Sequence, residues 1–181
     1  FGVDTITFLD GNNVIDVGAG ASTITGGNGN NYITGGLAAG IGTIALGIGN
    51  NVIHMGDGAN TITAGPTGSG NNTVSTGSGA DTITLGGGNN NICAGDGANT
   101  IAAGATFAGI NRISTGIGAD TITVGSGANV IVAGDGANTI TAGSGNNIIY
   151  TGSGIDTITA MGGNNRIEAG DGANTITTGA G

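Results

Sequence analysis

A large aliphatic residue recurs along this chain at an almost fixed interval. It stands at Ile6, Ile15, Ile24, Ile33, Ile44, Ile53, Ile62, Val74, Ile83 and Ile92, and continues through Ile101, Ile113, Ile122, Ile131, Ile140, Ile149, Ile158, Ile167 and Ile176. Fifteen of the eighteen intervals are nine residues; the others are eleven (Ile33 to Ile44) and twelve (Ile62 to Val74, Ile101 to Ile113). With the aliphatic residue set at position 8, most units have Gly at positions 2 and 4 and Asn or Asp at 6. Polar or β-branched residues occupy 7 and 9, as in Gly134-Asp135-Gly136-Ala137-Asn138-Thr139-Ile140-Thr141. Alternation around position 8 predicts a very short strand, with 7 and 9 outward and 8 and the following position 1 inward. The glycines predict a tight turn, since they enter positive φ freely and Asn and Asp tolerate it next best.

A short period sustained this long predicts a stacked array. Two units close one coil of 18 residues, and successive coils pair as parallel, in-register strands about 4.8 Å apart. The chain reads as all-β, a parallel right-handed β-solenoid of about nine to ten coils, roughly 45 Å long at that spacing. Residues 1–181 form one array with no domain linker. The three longer intervals (Gly35 to Gly40, Gly65 to Gly68, Gly104 to Gly109) read as turns that swell without disturbing the stack. The array starts and stops inside a unit without a polar cap, so it is expected to continue in a longer array or to join further copies end to end.

Composition narrows the alternatives. With 43 Gly, three Phe, two Tyr and no Trp in 181 residues, a conventional globular core is excluded. Fixed places for Gly and Ile exclude low-complexity disorder, and a single Pro excludes collagen. No apolar run approaches the ~20 residues of a membrane span, and the segment reads as a soluble, mature or excised piece. Cys93 stands alone, so no internal disulfide holds the fold. Net charge is −9, and Arg112 and Arg166 are the only strong bases, which excludes a nucleic-acid partner that needs clustered cations.

The pattern G-x-G-x-[DN]-x-I-x, complete in Gly27-Asn28-Gly29-Asn30-Asn31-Tyr32-Ile33-Thr34, resembles the repeats-in-toxin (RTX) nonapeptide G-G-x-G-x-D-x-U-x. The resemblance covers the whole chain. It implies a parallel β-roll with calcium as cofactor in the turns, in secreted, extracellular or cell-surface proteins such as toxins, proteases, adhesins and surface-layer proteins. Two departures lower the expected calcium loading. Position 1 is seldom Gly, and position 6 is more often Asn than Asp.

Alternate units share a side of the coil. On face A, position 7 is Thr in all ten coils and position 9 is Thr in eight, including Thr61, Thr63, Thr82, Thr84, Thr121, Thr123, Thr139, Thr141, Thr157, Thr159, Thr175 and Thr177. Threonine suits an exposed strand, so packing or self-association explains part of this. Its regularity also resembles the Thr-x-Thr surface of β-solenoid antifreeze proteins, which implies ice as a partner. Face B holds no property constant. Before face B, position 6 is always Asn (Asn13, Asn31, Asn51, Asn72, Asn90, Asn111, Asn129, Asn147, Asn165), the pattern of a neutral amide ladder that needs no ion. Before face A, acids alternate between position 3 and position 6: Asp57, Asp81, Asp96, Asp120, Asp135, Asp156 and Asp171. Read as one file at ~5 Å steps, these carboxylates repel one another and point to a hard cation, calcium, with turn carbonyls completing an oxygen shell.

His54, Ser75 and Cys93 lie on successive coils of face B, but no acid orients the histidine and no cleft is expected there, so no enzyme is read. The leading expectation is an extracellular structural rod of a surface fibre, filament, surface layer or adhesin, stabilised by calcium. The alternative is an ice-binding protein that uses face A.

Overall fold

A computed structural model describes residues 2–36, 40–104 and 109–181. The strands in chain order begin with β1 (Asp4–Phe8), β2 (Val14–Asp16), β3 (Ser22–Gly26), β4 (Tyr32–Thr34), β5 (Gly42–Leu46) and β6 (Val52–His54). There follow β7 (Thr61–Ser69), β8 (Thr73–Ser75), β9 (Thr82–Gly87), β10 (Asn91–Cys93), β11 (Thr100–Ala103) and β12 (Arg112–Thr115). The last are β13 (Thr121–Val124), β14 (Val130–Ala133), β15 (Thr139–Ser144), β16 (Ile148–Tyr150), β17 (Thr157–Gly162), β18 (Arg166–Glu168) and β19 (Thr175–Thr178).

Odd-numbered strands form one ten-stranded parallel sheet, sheet A, which carries face A, and even-numbered strands a nine-stranded one, sheet B, which carries face B. The chain therefore winds as a β-solenoid, crossing from sheet to sheet at every turn. Register follows the nine-residue period: Ile122 pairs with Ile140 and Ile131 with Ile149, each flanked by its own equivalents. The two position-8 files meet between the sheets, where Ile24 to Ile158 are at most 2% exposed. Burying one such side chain contributes about 1.5–3 kcal/mol before entropic costs. Position 1 adds a second inward file of smaller residues, among them Ala64, Leu85, Ala103, Val124, Ala133 and Ala142.

Glycine at positions 2 and 4 is required twice over. Gly134 and Gly136 have φ of 39° and 128°. A Cβ on either would also lie 2.0 Å or 1.9 Å from the carbonyl oxygen of Gly116 or Gly118 one coil away. The turns stack backbone on backbone.

One expectation about the insertions is corrected. The interval after Ile62 does not swell as a loose turn; β7 runs on to Ser69, and its register against β9 shifts between Ala64 and Ser69, so that Ser69 pairs with Gly87. Gly65, at φ 55°, turns the strand, and Pro66, which has no N–H to contribute, lies exposed. The other two intervals contain residues 37–39 and 105–108, outside the described residues.

Candidate functional site

The turns form two edges of different chemistry. On the edge before sheet B, position-6 asparagines point inward and stack. Nδ2 of Asn13 donates to Oδ1 of Asn31 at 2.9 Å, and the step repeats through Asn51, Asn72, Asn90, Asn111, Asn129 and Asn147 to Asn165 at 2.9–3.0 Å. The same Oδ1 atoms accept the backbone N–H of the preceding asparagine. Most Nδ2 groups also donate to carbonyls of their own turn, as Asn129 does to Gly125 and Gly127, both at 3.1 Å. Every amide proton thus has an acceptor, which is what permits a buried polar file. A second, exposed ladder lies at position 5, where Oδ1 of Asn12, Asn30, Asn50, Asn71, Asn89 and Asn146 accepts a backbone N–H from the following coil. This ladder was legible as the Asn-Asn doublets but was not singled out from the sequence.

On the acidic edge the structure separates the seven aspartates. They do not form one file with ~5 Å steps. Asp57, Asp96, Asp135 and Asp171, at position 3, are exposed on the outside of the turn. The first three each accept a backbone N–H of the next coil, from Ser78, Ile117 and Ser153 at 2.7–2.8 Å. The N–H of Ser78, and then its hydroxyl, hold the Asp57 carboxyl below its ordinary value; Ser153 does the same for Asp135. Asp81, Asp120 and Asp156, at position 6, are buried to 0–1% exposure. They sit in an interior ladder with Asn60, Asn99, Asn138 and Asn174, whose steps are backbone N–H donations to Oδ1, for example Asn60 to Asp81 at 2.8 Å and Asp120 to Asn138 at 3.0 Å. Like acids therefore recur every second coil, which removes most of the repulsion a single file would create.

Only one oxygen of each buried carboxylate joins the ladder. Oδ2 of Asp81, Asp120 and Asp156 is cut off from solvent, as is Oγ1 of Thr76, Thr115 and Thr151 at position 1 of the same turns, and these oxygens have no hydrogen-bond partner outside their own Asp–Thr pair. Burial pushes the Asp81 carboxyl above its ordinary value, against the Thr76 hydroxyl and the Asn60 donors, which lower it. Buried carboxylate oxygens in a glycine turn that also carries a threonine hydroxyl are hard oxygen donors, which fit a cation such as calcium. Among the described residues no three His, Cys, Asp or Glu side chains converge, so any cation here takes most ligands from neutral oxygens.

The sheet A surface carries the threonines. Position-7 residues from Thr5 to Thr175 pair Thr on Thr across all ten strands. Thr61, Thr82, Thr121, Thr139, Thr157 and Thr175 are exposed; Thr63, Thr84, Thr123, Thr141 and Thr159 at position 9 are half-buried, and Thr177 is exposed. Sheet B shows local pairs only. Tyr32 and His54 meet edge-on at 6.0 Å. Arg166 reaches Glu168 at 2.6 Å and lies 5.7 Å from the Tyr150 ring. Cys93 is exposed, and no helix among the described residues is long and apolar enough to cross a membrane.

Comparison with known proteins gives one match. The family described as RTX calcium-binding nonapeptide repeat (4 copies) matches residues 9–41, 38–66, 66–101, 106–140, 123–158 and 150–181. No curated protein and no solved structure matches.

Proposed function

This chain belongs to the RTX calcium-binding nonapeptide-repeat family, and from that premise we propose that it is a non-enzymatic structural rod, displayed outside the cell in a surface fibre, filament, surface layer or adhesin. The observation that carries the reading is the continuous parallel pairing of two sheets along the described array, in which nearly every unit is spent on stacking. Calcium is held on the acidic edge, by carboxylates from among Asp57, Asp81, Asp96, Asp120, Asp135, Asp156 and Asp171. There it neutralises carboxylate charge and ties turn oxygens together. The array continues into further coils or joins copies end to end. A ligand that binds only the folded rod raises its stability by mass action, about 2.7 kcal/mol per site at a hundredfold excess over Kd. Melting followed by circular dichroism should therefore rise with calcium and fall with chelator, and electron microscopy should show rods or filaments. Identical melting in calcium and chelator removes the calcium role; dispersed short monomers at high concentration remove the end-to-end association.

A second reading rests on a separate observation, the in-register threonine ranks of sheet A. Methyls and hydroxyls repeat there about every 4.8 Å along each rank, a flat grid suited to an ordered surface such as ice. Thermal hysteresis and crystal shaping test it. Replacing Thr121, Thr139 and Thr157 by Tyr should abolish shaping while the inward isoleucines keep the fold. A parent protein that does not shape ice ends this reading and leaves the first intact.

A further inference from the structure

Three turns carry the same eight residues, Ala-Gly-Asp-Gly-Ala-Asn-Thr-Ile, at 94–101, 133–140 and 169–176. A fourth, at 55–62, differs only in beginning with Met. Each contains an Asp-Gly step, which is open to attack within the main chain because glycine sets no Cβ beside its own nitrogen. That nitrogen attacks the aspartate Cγ, the amide proton goes to solvent and a carboxyl oxygen leaves as water, closing a five-membered succinimide. Water then reopens the ring. Opening at the side-chain carbonyl restores aspartate; opening at the main-chain carbonyl gives isoaspartate, whose main chain runs through Cβ and Cγ. The mass is unchanged, and water is the only co-reactant.

In three of these four turns, one residue of the next coil holds both reacting groups. Ser78 donates its N–H to Oδ1 of Asp57 at 2.7 Å and accepts the Gly58 N–H on its carbonyl at 2.7 Å. Ile117 does the same for Asp96 and Gly97, both at 2.8 Å, and Ser153 for Asp135 and Gly136, both at 2.7 Å. Attack needs the glycine nitrogen to shed its proton and turn onto Cγ, and each movement breaks one point of this grip. The Ser78 and Ser153 contacts also hold the Asp57 and Asp135 carboxyls below their ordinary value. They therefore stay ionised, and an ionised oxygen leaves less readily than a hydroxyl. Gly58, Gly97 and Gly136 are half-buried. Asp171 and Gly172 are both exposed and have neither contact among the described residues.

We propose that these Asp-Gly steps are spontaneous modification sites gated by coil stacking: Asp171 converts to isoaspartate in the folded rod, whereas Asp57, Asp96 and Asp135 convert only when the following coil opens. Local sequence cannot cause the difference, because Asp96, Asp135 and Asp171 share theirs. Opening breaks two hydrogen bonds, which lowers the reactive population about thirtyfold at the typical net strength of each. The product also acts on the stack. Isoaspartate puts an extra main-chain carbon into a turn with no room for one, since even a Cβ on Gly97 or Gly136 meets the carbonyl of Gly79 or Gly118. A coil so altered cannot restack, and an opening that is otherwise reversible becomes permanent.

Peptide mapping of the aged chain tests this. The chain is kept for weeks at pH 7 in calcium, with circular dichroism confirming the fold, then digested and read by electron-transfer fragmentation, which separates isoaspartate from aspartate at each site. Isoaspartate should form about thirtyfold faster at Asp171 than at Asp96 or Asp135, the two hydrogen bonds setting the ratio. In concentrated urea with chelator, where no coil stacks on another, the three sites should converge on one rate. Equal rates at the three sites in the folded chain overturn the inference. So do rates at Asp96 and Asp135 that urea leaves unchanged, because stacking then protects nothing. A difference that persists in urea also overturns it, since its cause then lies outside the contact between coils.

Discussion

Changing Asn129 to Asp tests the amide ladder with the smallest possible alteration, one NH2 group for one oxygen. Asn129 is fully buried; its Nδ2 donates to Asn147 Oδ1 at 2.9 Å and to Gly125 and Gly127 carbonyls at 3.1 Å each. Its Oδ1 accepts the N–H of Asn111 at 3.0 Å and its Nδ2 at 2.9 Å. Aspartate keeps both acceptor contacts and loses both amide protons, which serve the three donor contacts between them. At about 1 kcal/mol for each net hydrogen bond, the expected loss is about 2 kcal/mol, before any added cost of burying charge. For a chain of this size that is a fall in Tm of roughly 4–8 °C. The sign with pH is fixed: burial raises the folded-state pKa above the unfolded value of about 3.9, so the penalty is full above the raised pKa and relieved as pH falls through it. Thermal melts in chelator at pH 7 and pH 4 should show the variant recovering toward the parent in acid. Asn146→Asp is the control, since that exposed residue uses only its Oδ1, accepting from Asn164 at 2.9 Å, and the change should cost less than about 0.5 kcal/mol. If Asn129→Asp melts with Asn146→Asp at pH 7, the donor half of the ladder contributes nothing and the reasoning fails.

The remaining predictions concern the core and the exposed acids. Ile140→Ala, at 1% exposure in the middle of the stack, should cost about 2–5 kcal/mol by chemical denaturation, whereas Ile155→Ala, at 64%, should be near neutral; equal effects would refute the isoleucine file as the main source of stability. Ser153→Ala removes the hydroxyl that donates to Asp135 Oδ1 at 3.0 Å and should move the depressed Asp135 carboxyl part of the way back up, the backbone N–H remaining. Because the folded value lies below the unfolded one, that carboxylate supports the fold above about pH 3.9 and loses its effect as pH falls through the folded value. A carbon-13 NMR titration in chelator measures the midpoint, and an unchanged midpoint refutes the serine's part.

Much of this molecule is legible from its sequence because its information is local and repeated. The Ile period alone sets strand spacing and register, since a strand's side chains alternate with period two and only one phase buries the isoleucine. The stacking of Thr121 on Thr139, and of Asn129 beside Asn147, follows from that register without further knowledge of the fold. What the tertiary structure decided is direction within the turn. Asp96 and Asp120 belong to one edge and are the same residue type. Yet one lies outside on the backbone of the next coil, and the other lies inside with an oxygen cut off from solvent. Periodicity places them at positions 3 and 6 but does not say which points inward, because the orientation of a side chain in a turn depends on glycine φ and on the coil stacked against it. The continuation of β7 through Gly65 to Ser69 was hidden for the same reason: whether extra residues bulge outward or pair is settled by the neighbouring strand β9. Nine residues carry the period, and the contact between coils carries the rest.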